Sequence, residues 1–404
     1  MTQPESLAGP LSRRRFLQLG GAAGAATFLA ASAVGSAAAA SRRPAARTTN
    51  PNPAQEATFA TSGEFRMATW IGYIDFAEDG SYPSLDRFTE ETGVVIDYQE
   101  AVEDNQTFFA TDLQGPIEAG VPTGWDIVVL TDWMVQRLIS LDWIEPIGPS
   151  VEGNWPTNLE TVYTARGWDP GNTYAAPYVS GMTGPAFDEK VTGPISTLTP
   201  LFDDSFAGRV TYLLEMNDTV GIAALKDGVD PATLTQEQFD AAVAQIAQAV
   251  DSGIVRRLTG NSYIEDMTTG DVVLAIAWSG DVAGLLYPLN DDNRQFRWVL
   301  ADEGGMIWTD NMTLPKGLQN KPQAERFIDW YYNPVNAAQI IKSVRYVCPV
   351  KGTGEALAAE DPATAEDPLI FPTEEMRARL HEFVAKLPEE REAWEAAFQE
   401  AIGL

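Results

Sequence analysis

The sequence predicts an α/β protein of two lobes, on three observations. Short apolar runs alternate with amphipathic stretches from residue 63 onward, the pattern of strands interleaved with helices. About 340 residues remain once an N-terminal export segment and a linker are set aside, more than one ordinary core accommodates and suited to two. Cys348 is the only cysteine in 404 residues, so no intrachain disulfide is available and packing must hold the fold.

The chain opens with a basic cluster, Ser12-Arg-Arg-Arg-Phe-Leu17, followed by 25 uncharged residues rich in Ala and Gly from Phe16 to Ala40. Paired arginines, an apolar run and a small-residue end in that order predict a twin-arginine export signal, with Ala38 and Ala40 flanking a cleavage site before Ser41. The same run exceeds the ~20 residues that span a bilayer, so an uncleaved signal acting as a membrane anchor is the alternative. Residues 41–62 carry three prolines and no hydrophobic periodicity, which reads as a tether.

The net charge is −30, and removal of residues 1–40 leaves 24 basic against 56 acidic residues. Such a field repels phosphate and excludes nucleic acid as a partner. It also concentrates cations near the surface, besides keeping the chain soluble by self-repulsion.

Beyond the tether, Phe65–Trp70 reads as a strand, Tyr82–Thr92 as a helix stopped at Gly93, and Val94–Tyr98 as a second strand. Trp125–Leu130 is a buried strand, followed by a helix with Asp132 in its first turn. Ligands of open α/β sheets gather beyond the carboxyl ends of strands, where Trp70, Tyr73, Thr131 and Trp133 fall. Further on, Asp218 is placed to cap a helix over Thr219–Lys226, Thr233–Val250 is helical, and Asp271–Trp278 is a strand. Gln323–Trp330 is a helix ending near Pro334, and Thr373–Ala401 reads as a helical pair packed on the second lobe.

Gly304–Pro315 carries the clearest chemical signal. Strand alternation puts Trp308 and Asp310 on one face, where a carboxylate bonds an ammonium and an indole covers its methylenes. A catalytic reading finds little support. The only histidine, His381, falls in the tail, and no nucleophile motif, metal motif or phosphate loop is present. The alternative from another class is a secreted hydrolase using a pair of carboxylates, but pairs are abundant in so acidic a chain. Tyr331 and Tyr332 suggest tyrosine ligation of a metal, yet adjacent helical residues do not share a face. No cofactor and no metal are expected.

The elements Thr69-Trp-Ile-Gly-Tyr73, Phe88-Thr-Glu-Glu-Thr-Gly93, Trp125-Asp-Ile-Val-Val129, Ala277-Trp-Ser-Gly280 and Glu303–Pro315 stand in the order and spacing of polyamine-binding proteins. This region, most of residues 65–350, resembles those extracytoplasmic receptors of spermidine and putrescine ABC importers. The resemblance implies a two-lobed periplasmic-binding-protein architecture of type II-like form, acting as a monomer with a membrane permease. It implies one lobe from residues 63–180 and 309–350, the other from 186–304 and 355–404, and hinge crossings near Gly181–Pro185, Ile307–Thr309 and Val350–Gly354. Carried over by motif, the ligand-binding residues are Trp70, Tyr73, Thr131, Trp133, Trp278, Trp308, Asp310 and Tyr346.

One departure affects the ligand. Where the resemblance implies two further acids, this chain reads Tyr212-Leu-Leu-Glu-Met-Asn-Asp-Thr-Val-Gly221. The alignment puts Met216 and Thr219 at those positions, with Glu215 and Asp218 each one residue away. With the acids missing, a ligand of fewer charges than spermidine is expected. With Glu215 or Asp218 in the cleft, spermidine is expected instead. A receptor for another amine derivative is the alternative within the same class.

Overall fold

A computed structural model of the chain describes residues 62–148, 153–164, 166–384, 386 and 388–403. The segments expected to form an export signal and a tether, up to residue 61, lie outside the described residues. Those described fall within one compact unit, Phe59–Leu404.

Strand β1 (Gly63–Trp70) alternates into the core through Phe65 and Met67 and is followed by helix α1 (Pro83–Thr92). Pro83 presets the first turn, Leu85 and Phe88 turn inward, and Gly93 (φ 74°) ends the helix with its N–H on the Thr89 carbonyl. The chain then enters β2 (Val94–Val102), parallel to β1, and β3 (Ile127–Thr131) joins β1 on the other side. Helix α2 (Asp132–Ser140) starts directly at the end of β3, with Asp132 in its first turn as expected.

The remaining strands are β4 (Ile144–Glu145), β5 (Ala176–Asp188), β6 (Val210–Leu213), β7 (Val255–Thr259), β8 (Leu274–Trp278), β9 (Phe296–Trp298), β10 (Gly305–Pro315) and β11 (Leu380–His381). The main path runs β2-β1-β3-β10-β5-β8-β6-β7. Two long strands occupy its middle, β5 and β10, antiparallel from Met306 opposite Thr183 to Met312 opposite Ala176. All 13 residues of β5 are buried, which explains a sequence of small and apolar residues without alternation. Parallel units hang on either side, so the carboxyl ends of β1 and β3 meet those of β6 and β8 across the central pair.

Helix α3 (Met216–Lys226) follows β6, and α4 (Gln236–Asp251) carries a complete capping box between Thr235 and Gln238. The helix expected at Gln323–Trp330 is α5 (Lys321–Tyr331), which ends just before Pro334 as expected, and Pro334 opens a further helix, α6 (Pro334–Val344). Tyr331 and Tyr332 are fully buried, and their hydroxyls donate to the carbonyls of Tyr178 and Pro177 on β5, so neither is available to a metal.

Two expectations are corrected. Asp218 does not cap a helix: α3 starts one turn earlier with Glu215 at its N-cap, and the Asp218 carboxylate accepts from Thr183 instead. The tail is not a helical pair. A single turn, Glu374–Arg377, gives way to β11, because Gly305 at the start of β10 leaves a backbone N–H for the Arg379 carbonyl. Leu380 and His381 then pair with Gly305 and Met306. His381 is thus a strand residue, its ring nitrogen against Asp230 at 2.9 Å. The chain resumes as α7 (Pro388–Ala401), where Trp394 stacks on Phe239 of α4 at 3.9 Å and Arg391 lies 3.7 Å from the Trp133 ring of α2. The tail therefore packs on two different helices, through the Trp394 ring on α4 and the Arg391 guanidinium on α2.

Candidate functional site

A cavity of about 240 Å³ lies beyond the carboxyl ends of β1, β3, β6 and β8, where neighbouring crossovers diverge. All eight residues singled out with Trp308 and Asp310 line it: Trp70, Tyr73, Thr131, Trp133, Trp278, Trp308, Asp310 and Tyr346. Their backbone positions explain the convergence. Trp70, Thr131 and Trp278 end β1, β3 and β8, while Asp310 faces Thr131 across the β3–β10 ladder.

The rings form a connected wall. Trp278 meets Trp70 at 6.1 Å and Trp308 at 6.2 Å, both edge-to-face, and Tyr346 lies 5.5 Å from Trp308 and 5.6 Å from Tyr73. Glycines make room for two of them. A Cβ on Gly181 would stand 2.1 Å from the Trp308 ring, and one on Gly280 2.4 Å from the Tyr346 ring. Tyr346 is held from behind, its hydroxyl donating to Asp281 at 2.7 Å, and Asp281 also accepts from Tyr263 and Asn261.

Five acids line the cavity, and three of them, Asp310, Glu215 and Asp218, are bonded within it only to neutral donors. Asp310 is 1% exposed and accepts from Tyr73 at 2.5 Å and Thr131 at 2.7 Å. Glu215 accepts twice from Asn105, through the backbone N–H at 3.3 Å and the side-chain amide at 3.0 Å. Asp218 accepts from Thr183 and from the Trp278 indole at 3.4 Å. All of these donors are neutral. Burial therefore raises each acid: Asp310 to about 7, Asp218 to about 6, and Glu215, with Asp218 and Asp104 adding repulsion, to about 8. A fourth acid of the wall, Asp132, is bonded to Arg166 and Asn311 and is neutralised within the protein.

Met216 and Thr219 do not line the cavity. Met216 is 2% exposed, and the buried Thr219 hydroxyl donates to the Leu213 carbonyl. Because α3 starts at Met216, Glu215 and Asp218 project toward the cleft while Met216 and Thr219 turn into the core. The two acids are present, one position from where the alignment put them, and the premise for a less charged ligand is removed.

Sequence reasoning missed several contributors. Asn105 links Thr131 to Glu215, donating to the Thr131 hydroxyl at 2.9 Å, and no motif marks a residue whose partners are 26 and 110 positions away. Thr183 joins Trp308 to Asp218 for the same kind of reason. Glu382, Phe383 and Val384, read as helix, also line the cavity. Asp281 closes the short helix Ser279–Asp281 three residues after Trp278, a spacing visible in the sequence.

A neutral-lined slot of rings closed by unneutralised carboxylates can hold a hydrophobic chain bearing ammonium groups. Among the described residues no cluster of His, Cys, Asp or Glu is arranged to hold a metal ion. Comparison with known proteins supplies the family: residues 84–372 match the bacterial extracellular solute-binding protein model. The chain belongs to that family. It is a binding component of transport, extracytoplasmic by family, and not an enzyme.

This solute-binding protein is 25% identical over 330 residues to the spermidine/putrescine-binding periplasmic protein 1 of Haemophilus influenzae, covering 81% of this chain and 85% of that one. It is 25% identical over 328 residues to the putrescine-binding periplasmic protein PotF of Escherichia coli K12, covering 77% and 84%. The solved structure of PotD from Streptococcus pneumoniae, 22% identical, superposes with a TM-score of 0.66 over 84% of this chain and 98% of that one. That likeness establishes the two-lobed α/β fold expected from the sequence.

Proposed function

We propose that this solute-binding protein captures a polyamine-like organic cation in the aromatic cleft and delivers it to an ABC permease. One observation carries the reading: Asp310, Glu215 and Asp218 line a cavity walled by rings, accept only from neutral donors, and have carboxyls that burial pushes up. An ammonium entering the cleft supplies the missing charge, while the indoles cover its methylenes. Names of the relatives point the same way, since both are called putrescine-binding or spermidine/putrescine-binding. In this reading Trp70, Tyr73, Thr131, Trp133, Trp278, Trp308, Asp310 and Tyr346 contact the ligand together with Glu215 and Asp218.

The proposed lobes are residues 63–180 with 309–350 and residues 186–304 with 355–404, hinged where β5 and β10 pass between them. Ligand contacts made from both sides favour the closed arrangement that a permease recognises. Export by the twin-arginine route, with the signal either cleaved or retained as an anchor, completes the proposal.

Titration with putrescine and spermidine, followed by tryptophan emission and calorimetry, tests the function. Saturable binding with a change in emission is expected, and Trp278→Ala and Trp308→Ala are each expected to weaken it about tenfold. No heat and no spectral change with any amine at millimolar concentration would sink the reading.

The raised acids also set a pH dependence. Unfolded carboxyls titrate near 4, whereas Asp218, Asp310 and Glu215 hold protons in the folded protein up to about 6, 7 and 8. The folded state binds more protons across that window, so these groups make the ligand-free protein less stable as pH rises from about 4 to about 8. Ammonium binding favours the ionised acids, so affinity is expected to rise over pH 6 to 8 with release of protons. Thermal melts of the wild type and of the triple variant Glu215→Gln, Asp218→Asn, Asp310→Asn check this. Equal slopes of stability against pH in the two proteins would contradict it.

A further inference from the structure

The cleft does not end at the acid-lined chamber. A second cavity, of about 530 Å³, adjoins it, and Trp133, Gln136, Trp168, Asn217, Phe383 and Val384 line both. The inner side carries Asp310, Glu215, Asp218 and Glu382. On the outer side the charged residues are Arg137, Lys386 and Arg391, with Glu392 and Glu395.

The outer cations are only partly neutralised. Arg137 reaches the largely exposed Glu392 at 3.4 Å and donates to Gln106 at 2.9 Å. Arg391 pairs with Glu395 at 2.7 Å through one terminal nitrogen, but its buried Nε has no hydrogen-bond partner. Burial lowers its pKa, Glu395 and Glu215 offset part of that, and Arg137 adds a smaller repulsion. Lys386 lies 4.3 Å from the Trp394 ring. At the passage between the chambers, the buried side-chain oxygen of Asn217 also lacks a partner. A chain this acidic thus places an unsatisfied guanidinium N–H and an unsatisfied amide oxygen along one path leading from its carboxylates.

Resting on the amine-binding reading, we propose that the two chambers together bind an amine extended by an anionic group. The ammonium end sits with the inner carboxylates, an N–H along the chain meets Asn217, and a terminal carboxylate lies against Arg391, Lys386 and Arg137. Three cations against Glu392 and Glu395 leave the outer chamber with one excess positive charge, which disfavours a further ammonium there. Half of the residues lining the outer chamber, Lys386, Arg391, Glu392 and Glu395 among them, come from the tail beyond the residues 84–372 matched by the family model. The tail would then make this receptor's selectivity its own.

The test compares three ligands on the full chain by calorimetry: putrescine, N-acetylputrescine and N-succinylputrescine. The last two share an amide and differ in the terminal carboxylate. N-succinylputrescine is expected to bind about tenfold tighter than N-acetylputrescine, and the ratio is expected to fall toward one in Lys386→Gln and to invert in Lys386→Glu. Reading a ratio within one protein cancels losses that come from folding. A ratio of one or less in the wild type, with putrescine bound, overturns this inference and leaves the amine reading standing. Failure of all three to bind overturns both.

Discussion

Asp310→Asn is expected to weaken putrescine binding about 100-fold or more while the protein remains folded. The ammonium would lose its charge-assisted bond, and with it the charge that justifies leaving water, a loss of a few kcal/mol. Folding should tolerate the change because Asp310 is a cost to the ligand-free state. Burial pushes its carboxyl up to about 7, and an asparagine oxygen can still accept from Tyr73 or Thr131. At pH 8 the ligand-free variant is accordingly expected to melt at or above the wild-type temperature. Calorimetric affinity within twofold of wild type would remove Asp310 from the site.

Gly181→Ala is expected to cost about 30- to 100-fold in affinity although Gly181 itself is not among the acids and rings of the cleft. Gly181 faces Trp308 in the β5–β10 ladder, and the added methyl would overlap the indole at 2.1 Å from one ring carbon and 2.4 Å from another. Both positions are fixed by the sheet, so the ring must leave its place and the Trp308 hydrogen bond to Thr183, 3.0 Å long, must break. That removes one wall of the slot and loosens a donor to Asp218, together worth roughly 2 to 3 kcal/mol. Gly181 does not have a positive φ, so the backbone accepts alanine without strain. Measurement of affinity and of tryptophan emission in the ligand-free protein checks this. An unshifted emission spectrum with unchanged affinity would show that Trp308 does not stand where the ligand binds.

Most of the cleft was legible because its residues stand next to strand ends, and a strand end can be read locally. Trp70, Thr131 and Trp278 each close an apolar run, and Trp308 and Asp310 share a face by alternation alone. The same local rules failed at α3, where the helix begins one turn before the expected cap. A shift of one residue along a helix rotates a side chain by about 100°, enough to exchange Glu215 for Met216 at the cleft. Periodicity could not place that start, since Met216 and Thr219 through Leu225 are buried nearly all round the helix.

By itself, then, the sequence determined the α/β alternation, the aromatic and acidic character of the site, and the strand ends on which most of it is mounted. Those follow from side-chain period and turn chemistry, which act over a few residues. Only the tertiary structure decided that Asn105 would bridge Thr131 and Glu215, that Gly181 would underlie Trp308, and that the tail would lay a short strand on β10 and wall the cleft with Phe383. Each depends on segments far apart in the chain arriving within hydrogen-bond or van der Waals distance. What selects those meetings is the packing of the whole unit against the entropy of ordering it, a quantity that no local pattern contains.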